Sequence, residues 1–361
     1  MQWFALILLI PYIYKLLSIY RGLRKLKPFI PSSSAEIFVS VIVACRNEET
    51  NLPILLSDIA SQNYNQNWFE LLIIDDNSTD STYDLASGYN KIKNIKVLRN
   101  PESGKKKAIK NGIEASSGEL VITTDADCRA GSNWLKNIVS FYTEYKPEMI
   151  IGPVSLKGTD GFFQHFQQLE FMSLQGITAG TAFTGSAVMC NGANLAFTRD
   201  SFQNQPGDMH YGKVSGEDVF LLHSLKKLKE SKIMWLESDD SMVTTNTSET
   251  TNSFFRQRAR WISKAGSYSD PDTIYLAIIT IISIMLQPVL LIAGIFDPVF
   301  LQVLLAAIIL KSIPDYLILQ NTTSRYGNAR LMKWFIPSQI FYTFYILILI
   351  PQAIFRGNIW D

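Results

Sequence analysis

Three short polar clusters carry residues able to do chemistry, and each follows an apolar run. Ala44-Cys45-Arg46-Asn47-Glu48-Glu49 closes the run Phe38–Ala44, Asp75-Asp76-Asn77-Ser78-Thr79-Asp80 follows Leu71–Ile74, and Asp125-Ala126-Asp127 follows Leu120–Thr123. Two hard carboxylates one residue apart, Asp125 and Asp127, can hold a Mg²⁺ or Mn²⁺ that also binds diphosphate oxygens. Such a cation neutralises charge growing on a diphosphate leaving group. Gly104-Lys105-Lys106-Lys107 puts a lysine at an expected helix start, where it can meet a phosphate. It is not a P-loop, because the earlier glycine is missing and Lys106 replaces the Ser/Thr. Gly216-Glu217-Asp218 precedes an apolar helix, Val219–Leu228, and a carboxylate there suits a general base for a hydroxyl nucleophile. Gln257-Arg258-Ala259-Arg260-Trp261 adds a cation for a diphosphate, Arg260, and a ring for stacking, Trp261.

Each cluster also has a plain structural reading. Asn, Asp, Ser and Thr at strand ends make turns and cap helices, so Asn47 reads as a turn residue and Ser78 or Thr79 as an N-cap. Glu217 and Asp218 also suit a helix start. Lys106 and Lys110 read as a solvated basic face. Phe254, Arg258, Trp261 and Ile262 fit a helix at a membrane surface. Three acid-bearing strand ends along one sheet edge favour a ligand site over three coincident turns.

The elements that must position these groups alternate. Strands are expected at Phe38–Ala44, Leu71–Ile74, Ile95–Leu98 and Leu120–Thr123, with helices over 48–61, from the Thr79 region, over 105–115 and over 132–145. Continuous apolar strands between helices predict a mostly parallel α/β sheet covered on both faces. Ligands of such sheets bind beyond the carboxyl ends of the strands, where the acids stand.

Both ends of the chain are apolar. Residues 1–20 are long enough for a membrane span and are followed by Arg21, Arg24, Lys25 and Lys27. That order is opposite to a signal peptide. Asp272–Phe296, Pro298–Leu319 and Trp334–Phe355 form three more apolar blocks, the second broken by Lys311 and Asp315, an i,i+4 pair. The positive-inside rule puts the N-terminus outside, the collar at 21–27 and the loop at 325–333 inside, and the C-terminus outside. The expected organisation is an anchor and collar (1–27), a linker (28–36), a catalytic domain (37–270) and a three-helix membrane region (271–361). Phe162–Met172 fits either an amphipathic helix near the bilayer or a core helix. Net charge is +1, which gives no sign of nucleic acid as a partner. Cys45, Cys128 and Cys190 form no CxxC or zinc spacing and read as reduced thiols.

Taken in order, VIVACRNEE, LLIIDDNSTDST, GKKKA, TTDADC, CNGANLAF, GEDVFLL and QRARW resemble the family 2 glycosyltransferases of GT-A fold, over about residues 37–265. The resemblance implies an inverting, metal-dependent transfer from a nucleotide-sugar, with UDP the expected nucleotide, to a lipid or saccharide acceptor. It implies donor binding by Ala44, Arg46, Glu48, Asp76, Lys105, Asp125 and Arg260. Asp127 with Asp125 would hold the metal, and Asp218 would be the base. Glu217, Gly192, Asn194, Gln257 and Trp261 fall on the acceptor or product side. The expected setting is a bacterial inner membrane with a cytoplasmic catalytic domain, with a eukaryotic internal membrane as the alternative. A processive polysaccharide synthase and a non-catalytic nucleotide-sugar-binding subunit are the alternatives; the intact acids Asp76, Asp125, Asp127 and Asp218 weigh against the latter.

Overall fold

A computed structural model describes residues 2–31, 36–204, 216–228 and 231–356. Residues 32–35 of the expected linker and the C-terminal residues 357–361 lie outside the described residues. The chain forms two compact units. A helical unit contains Met1–Leu26, Gly158–Val188 and Gly266–Phe355; a sheet unit contains Lys27–Lys157, Met189–Ala265 and the last residues. Residues 158–188, which the sequence placed inside 37–270, thus group with the apolar helices.

The sheet unit contains ten described strands: β1 (Val39–Cys45), β2 (Phe69–Asp75), β3 (Ile95–Arg99), β4 (Leu120–Asp125), β5 (Arg129–Ala130), β6 (Met149–Ile151), β7 (Val154–Lys157), β8 (Leu195–Thr198), β9 (Ile233–Trp235) and β10 (Val243–Asn246). Seven of them form the main sheet, in the order β3-β2-β1-β4-β8-β6-β9. The first four are parallel, while β8 runs antiparallel to both β4 and β6. The sheet is mostly parallel, as the apolar runs imply. All seven residues of β2 are buried and β1 is nearly so, the pattern of strands covered on both faces. A small second sheet, β5-β10-β7, stands apart.

The amino end of the main sheet is tied by a buried carboxylate. Glu70 accepts hydrogen bonds from Ser40 Oγ (2.7 Å), Ser117 N (2.6 Å), Ser117 Oγ (2.7 Å) and Lys96 Nζ (2.7 Å). Gly118 packs so tightly there that a Cβ would lie 2.5 Å from the Ser40 nitrogen.

The helical unit holds Ile10–Lys25, extended at its start by a 3₁₀ stretch Gln2–Leu9, then Phe162–Phe183, Pro271–Phe296, Val299–Arg325 and Phe335–Arg356. Four of its helices are long and apolar enough to cross a membrane: Gln2–Lys25, Pro271–Phe296, Val299–Arg325 and Ala329–Gln352. Phe162–Phe183 is a further helix, longer than the segment singled out in the sequence. Its small residues permit close approach: Gly180 faces Ile19, and a Cβ on Gly176 would lie 2.4 Å from Thr322 Oγ1. Lys311 and Asp315 pair at 2.7 Å, as their spacing allows. Tyr12 OH donates to the other Asp315 oxygen at 2.5 Å, and Lys311 also donates to Gln339 at 3.3 Å. The charges of Lys311 and Asp315 are thus satisfied among three of the apolar helices.

Candidate active site

The register of the main sheet sets the site. Cys45 stands opposite Asp75 across β1 and β2, and Ala44 opposite Asp125 across β1 and β4. The acidic ends of three neighbouring strands therefore share one edge. Beyond it, the loops after β1 and β2 lock together. Asn47 and Asn77 adopt left-handed backbone, φ 56° and 58°, which asparagine tolerates. Asn47 N donates to Ser78 Oγ (3.0 Å), Thr79 N to Asn47 Oδ1 (2.9 Å), and Glu48 N to Thr82 Oγ1 (2.7 Å). Asn47 is a turn residue, as expected. Ser78 and Thr79 are not N-caps; Ser81 occupies that position, and their polar atoms brace the neighbouring loop instead. Arg46 is exposed at this rim and Glu48 half-buried. The Glu48 carboxyl is raised above its usual range by burial first, with Asp127 and Asp125 adding to it and the amide of Asn51 opposing.

Asp76 is 2% exposed and accepts from Gly104 N (2.8 Å) and Asn100 Nδ2 (2.7 Å). It therefore fixes the turn that launches Lys105–Ala115, where Gly104 sits at φ 124°, a conformation suited to glycine. That helix starts at Lys105, whose Nζ meets Asp125 Oδ1 at 2.5 Å. Burial works against the Lys105 charge, but the Asp125, Glu217 and Asp127 carboxylates outweigh it and hold the ammonium protonated well above its ordinary range. Lys106 is not on a solvated face. It is buried, its ammonium 4.7 Å from the Phe220 ring centroid. Lys110 is half-exposed and pairs with Glu114 at 3.5 Å, as a surface residue does.

Asp127 reaches solvent, and its Oδ2 accepts from Thr245 Oγ1 on β10 at 3.0 Å. Its carboxyl is pushed up by desolvation and then by the Asp125 carboxylate. Two crowded carboxylates suit a hard divalent cation. Among the described residues no group of three or more His, Cys, Asp or Glu is placed to hold a metal ion.

Asp218 lies in the first turn of Glu217–Leu225. Its oxygens accept from Gly192 N (3.1 Å) and from its neighbour Val219 N (2.8 Å). One Glu217 oxygen is buried without a hydrogen-bond partner among the described residues. A cleft of about 370 Å³, counted with its open mouth, brings Lys105, Asp125, Gly192, Glu217 and Asp218 together over an apolar floor that includes Ile109, Phe197 and Leu221.

Other expected site residues sit elsewhere. Asn194 is 1% exposed and fully engaged: Trp134 Nε1 donates to it at 3.0 Å, and its amide donates to Pro153 O and Ser241 O, both at 2.8 Å. It shapes the turn behind Gly192 and does not line the cleft. Gln257, Arg260 and Trp261 lie on Thr251–Ser263 and do not line the cleft either. Arg258, to which the sequence gave no ligand role, is buried, donates to Gln257 Oε1 at 2.5 Å and lies 4.1 Å from the Trp261 ring centroid. Its i,i+3 spacing to Trp261 was the available signal. Thr245 had none, because β10 is remote in sequence from Asp127.

The fold is a mostly parallel α/β sheet with acids at the carboxyl edge, where ligands of such sheets bind. Residues 40–204 match the model of the family "Glycosyl transferase family 2", and the chain carries a domain of that family. A β-monoglucosyldiacylglycerol synthase from a Nostoc species is 33% identical over 113 residues, 30% of this chain and 24% of that protein. Glycosyltransferase AglE of Haloferax volcanii is 32% identical over 126 residues, 34% of this chain and 41% of that protein. The chain thus spans less than half the length of these curated relatives. The structure of a mannosyltransferase from Pyrobaculum calidifontis, in complex with GDP-mannose and Mn²⁺, has the same fold: TM-score 0.58 at 17% identity, covering 98% of this chain and 99% of that one.

Proposed function

We propose that this protein is an inverting, metal-dependent glycosyltransferase that moves a sugar from a nucleotide-sugar, with UDP the first nucleotide to test, to a lipid or saccharide acceptor at the cytoplasmic face of a membrane. The observation that carries the reading is the convergence of Lys105, Asp125 and Asp218 on one cleft of a family 2 domain.

The donor's nucleoside sits against Ala44, Arg46 and Glu48, on a floor that Asp76 keeps in place by holding the Gly104 turn. Asp127 and Asp125 would hold a Mg²⁺ or Mn²⁺, which would supply charge neutralisation of the diphosphate leaving group. Lys105 adds a fixed positive charge on the same side, kept in register by Asp125. Asp218, oriented by the Gly192 and Val219 amides, takes the proton of the acceptor hydroxyl as its oxygen attacks the anomeric carbon opposite the leaving nucleotide. The C–O bond to the diphosphate breaks as the new glycosidic bond forms, so the configuration inverts. Glu217 accepts a hydrogen bond from the acceptor, and Gly192 and Asn194 shape the loop behind it. Arg260 steadies the departing diphosphate, with Gln257 and Trp261 on the product side. The Nostoc relative's name, a glucosyldiacylglycerol synthase, and the four membrane-length helices support a lipid acceptor.

The test is nucleotide release by the full chain in detergent with lipid, across UDP- and GDP-sugars, with Mg²⁺ or Mn²⁺. Asp218→Asn should fold and bind donor yet lose transfer by about 10²-fold or more. Near-normal turnover in that variant would remove Asp218 from the mechanism.

A further inference from the structure

One end of the helical unit is charged and the other is not. Arg21, Arg24 and Lys25 lie on the last turns of Ile10–Lys25, and Arg330 and Lys333 lie in Ala329–Trp334; all five are exposed. No ion pair among the described residues engages any of them. Arg325, at the end of Val299–Arg325, donates to Leu23 O (3.0 Å) and Leu26 O (3.4 Å), which ties the end of that helix to the last turn of Ile10–Lys25. At the far end Gln2 donates to Asp297 (3.0 Å), and residues 2–14 and 286–310 contain no Lys or Arg.

The plain explanation for cations on a last helical turn is the helix dipole. Here Arg325 already meets the free carbonyls of that turn, so Arg21, Arg24 and Lys25 are not needed as caps. Aromatic rings accompany the cations: Lys333 lies 5.5 Å from the Trp334 ring centroid, Arg24 6.0 Å from that of Tyr20, and Trp334 stacks on His165 at 5.2 Å. Trp and Tyr beside Lys and Arg mark headgroup depth. The cations are spread around a rim and do not converge on a pocket. That distribution matches a plane of singly charged headgroups better than one polyphosphate ligand.

We propose that this rim is a docking surface for anionic phospholipid headgroups, which it selects over zwitterionic ones. The proposal rests on the reading that the four apolar helices cross a bilayer. Each cation near such a surface contributes about a fivefold preference.

The experiment uses the full chain in mild detergent, offered phosphatidylglycerol and phosphatidylcholine in equal amounts, with retained lipid counted by native mass spectrometry. The wild type should retain phosphatidylglycerol preferentially, and high salt should weaken the preference. R21Q/R24Q/K25Q should lose it by about tenfold or more with an unchanged circular dichroism spectrum, and R330Q/K333Q by a smaller factor. Equal retention of the two lipids by the wild type, or an undiminished preference in the triple variant, overturns the proposal. So does displacement of the lipid by inorganic phosphate, which would mark a discrete anion site. Failure of the bilayer reading shows separately, as a protein that stays soluble without detergent and does not enter lipid discs.

Discussion

Thr245 donates to Asp127 Oδ2 at 3.0 Å, and it comes from a strand 118 residues further along the chain. In the proposed mechanism Asp127 holds the metal, and losing the hydrogen-bond partner of a metal-binding carboxylate typically weakens metal affinity about 10- to 100-fold. Thr245→Val keeps the shape and removes the donor. The half-saturating Mn²⁺ concentration for turnover should rise by about tenfold or more, with maximal rate at saturating metal largely kept. An unchanged metal titration would leave Thr245 as a strand residue only. The contrast with the acids is instructive about what a sequence reveals. Asp76, Asp125 and Asp218 stood out because each follows or opens an element whose period is readable. The roles of Thr245, Arg258 and Lys106 depend on which distant element packs beside them. Asn194 is the opposite case: a polar residue in a suggestive motif whose side chain bonds internally, to Trp134, Pro153 and Ser241.

At the scale of elements, the sheet is secured at the end away from the chemistry. Burial alone would raise the Glu70 carboxyl, but hydrogen bonds from Lys96, Ser40 and Ser117 outweigh it and hold the group below its ordinary range. A carboxyl depressed in the folded state contributes stability above its unfolded pKa, about 4.3, and loses it as pH falls through the lower folded value. Glu70→Gln should therefore cost about 2 kcal/mol near neutral pH, since bonds to a charged acceptor are each worth about 1.5–3 kcal/mol. The gap from wild type should close as pH drops below about 4. Denaturation of both proteins across that range checks it; a gap that stays constant with pH would show that the anion is not the stabilising form. The four parallel strands were legible because buried strands read as unbroken apolar runs. The strands β5 (Arg129–Ala130) and β10 (Val243–Asn246) were not, being two and four residues long with no period to detect. Phe162–Phe183 was ambiguous for another reason. Its buried face mixes Gln167, Gln175, Thr178 and Thr181 with Phe166 and Leu169, so apolar content alone could not assign it to either unit.

For the whole molecule, the side chains that join the helices order their ends without any reference to charge. Gln2 and Asp297 share one end, whereas Leu23, Leu26 and Arg325 share the other. The collar that the positive-inside rule assigns to the cytoplasm lies at the second end, and Lys27, the first residue of the sheet unit, directly follows Leu26. On the positive-inside reading, the end at Gln2 and Asp297 faces outward and the end at Arg325 faces inward. Phe296 is 84% exposed beside the hairpin, and Ala329 is exposed at the opposite end. With Cys190 replaced by serine, Cys45 and Cys128 remain buried and quiet. Phe296→Cys should then react with a membrane-impermeant maleimide only from the outer side of intact cells. Ala329→Cys should react only in inverted vesicles. The reverse pattern would overturn the positive-inside assignment of the two ends.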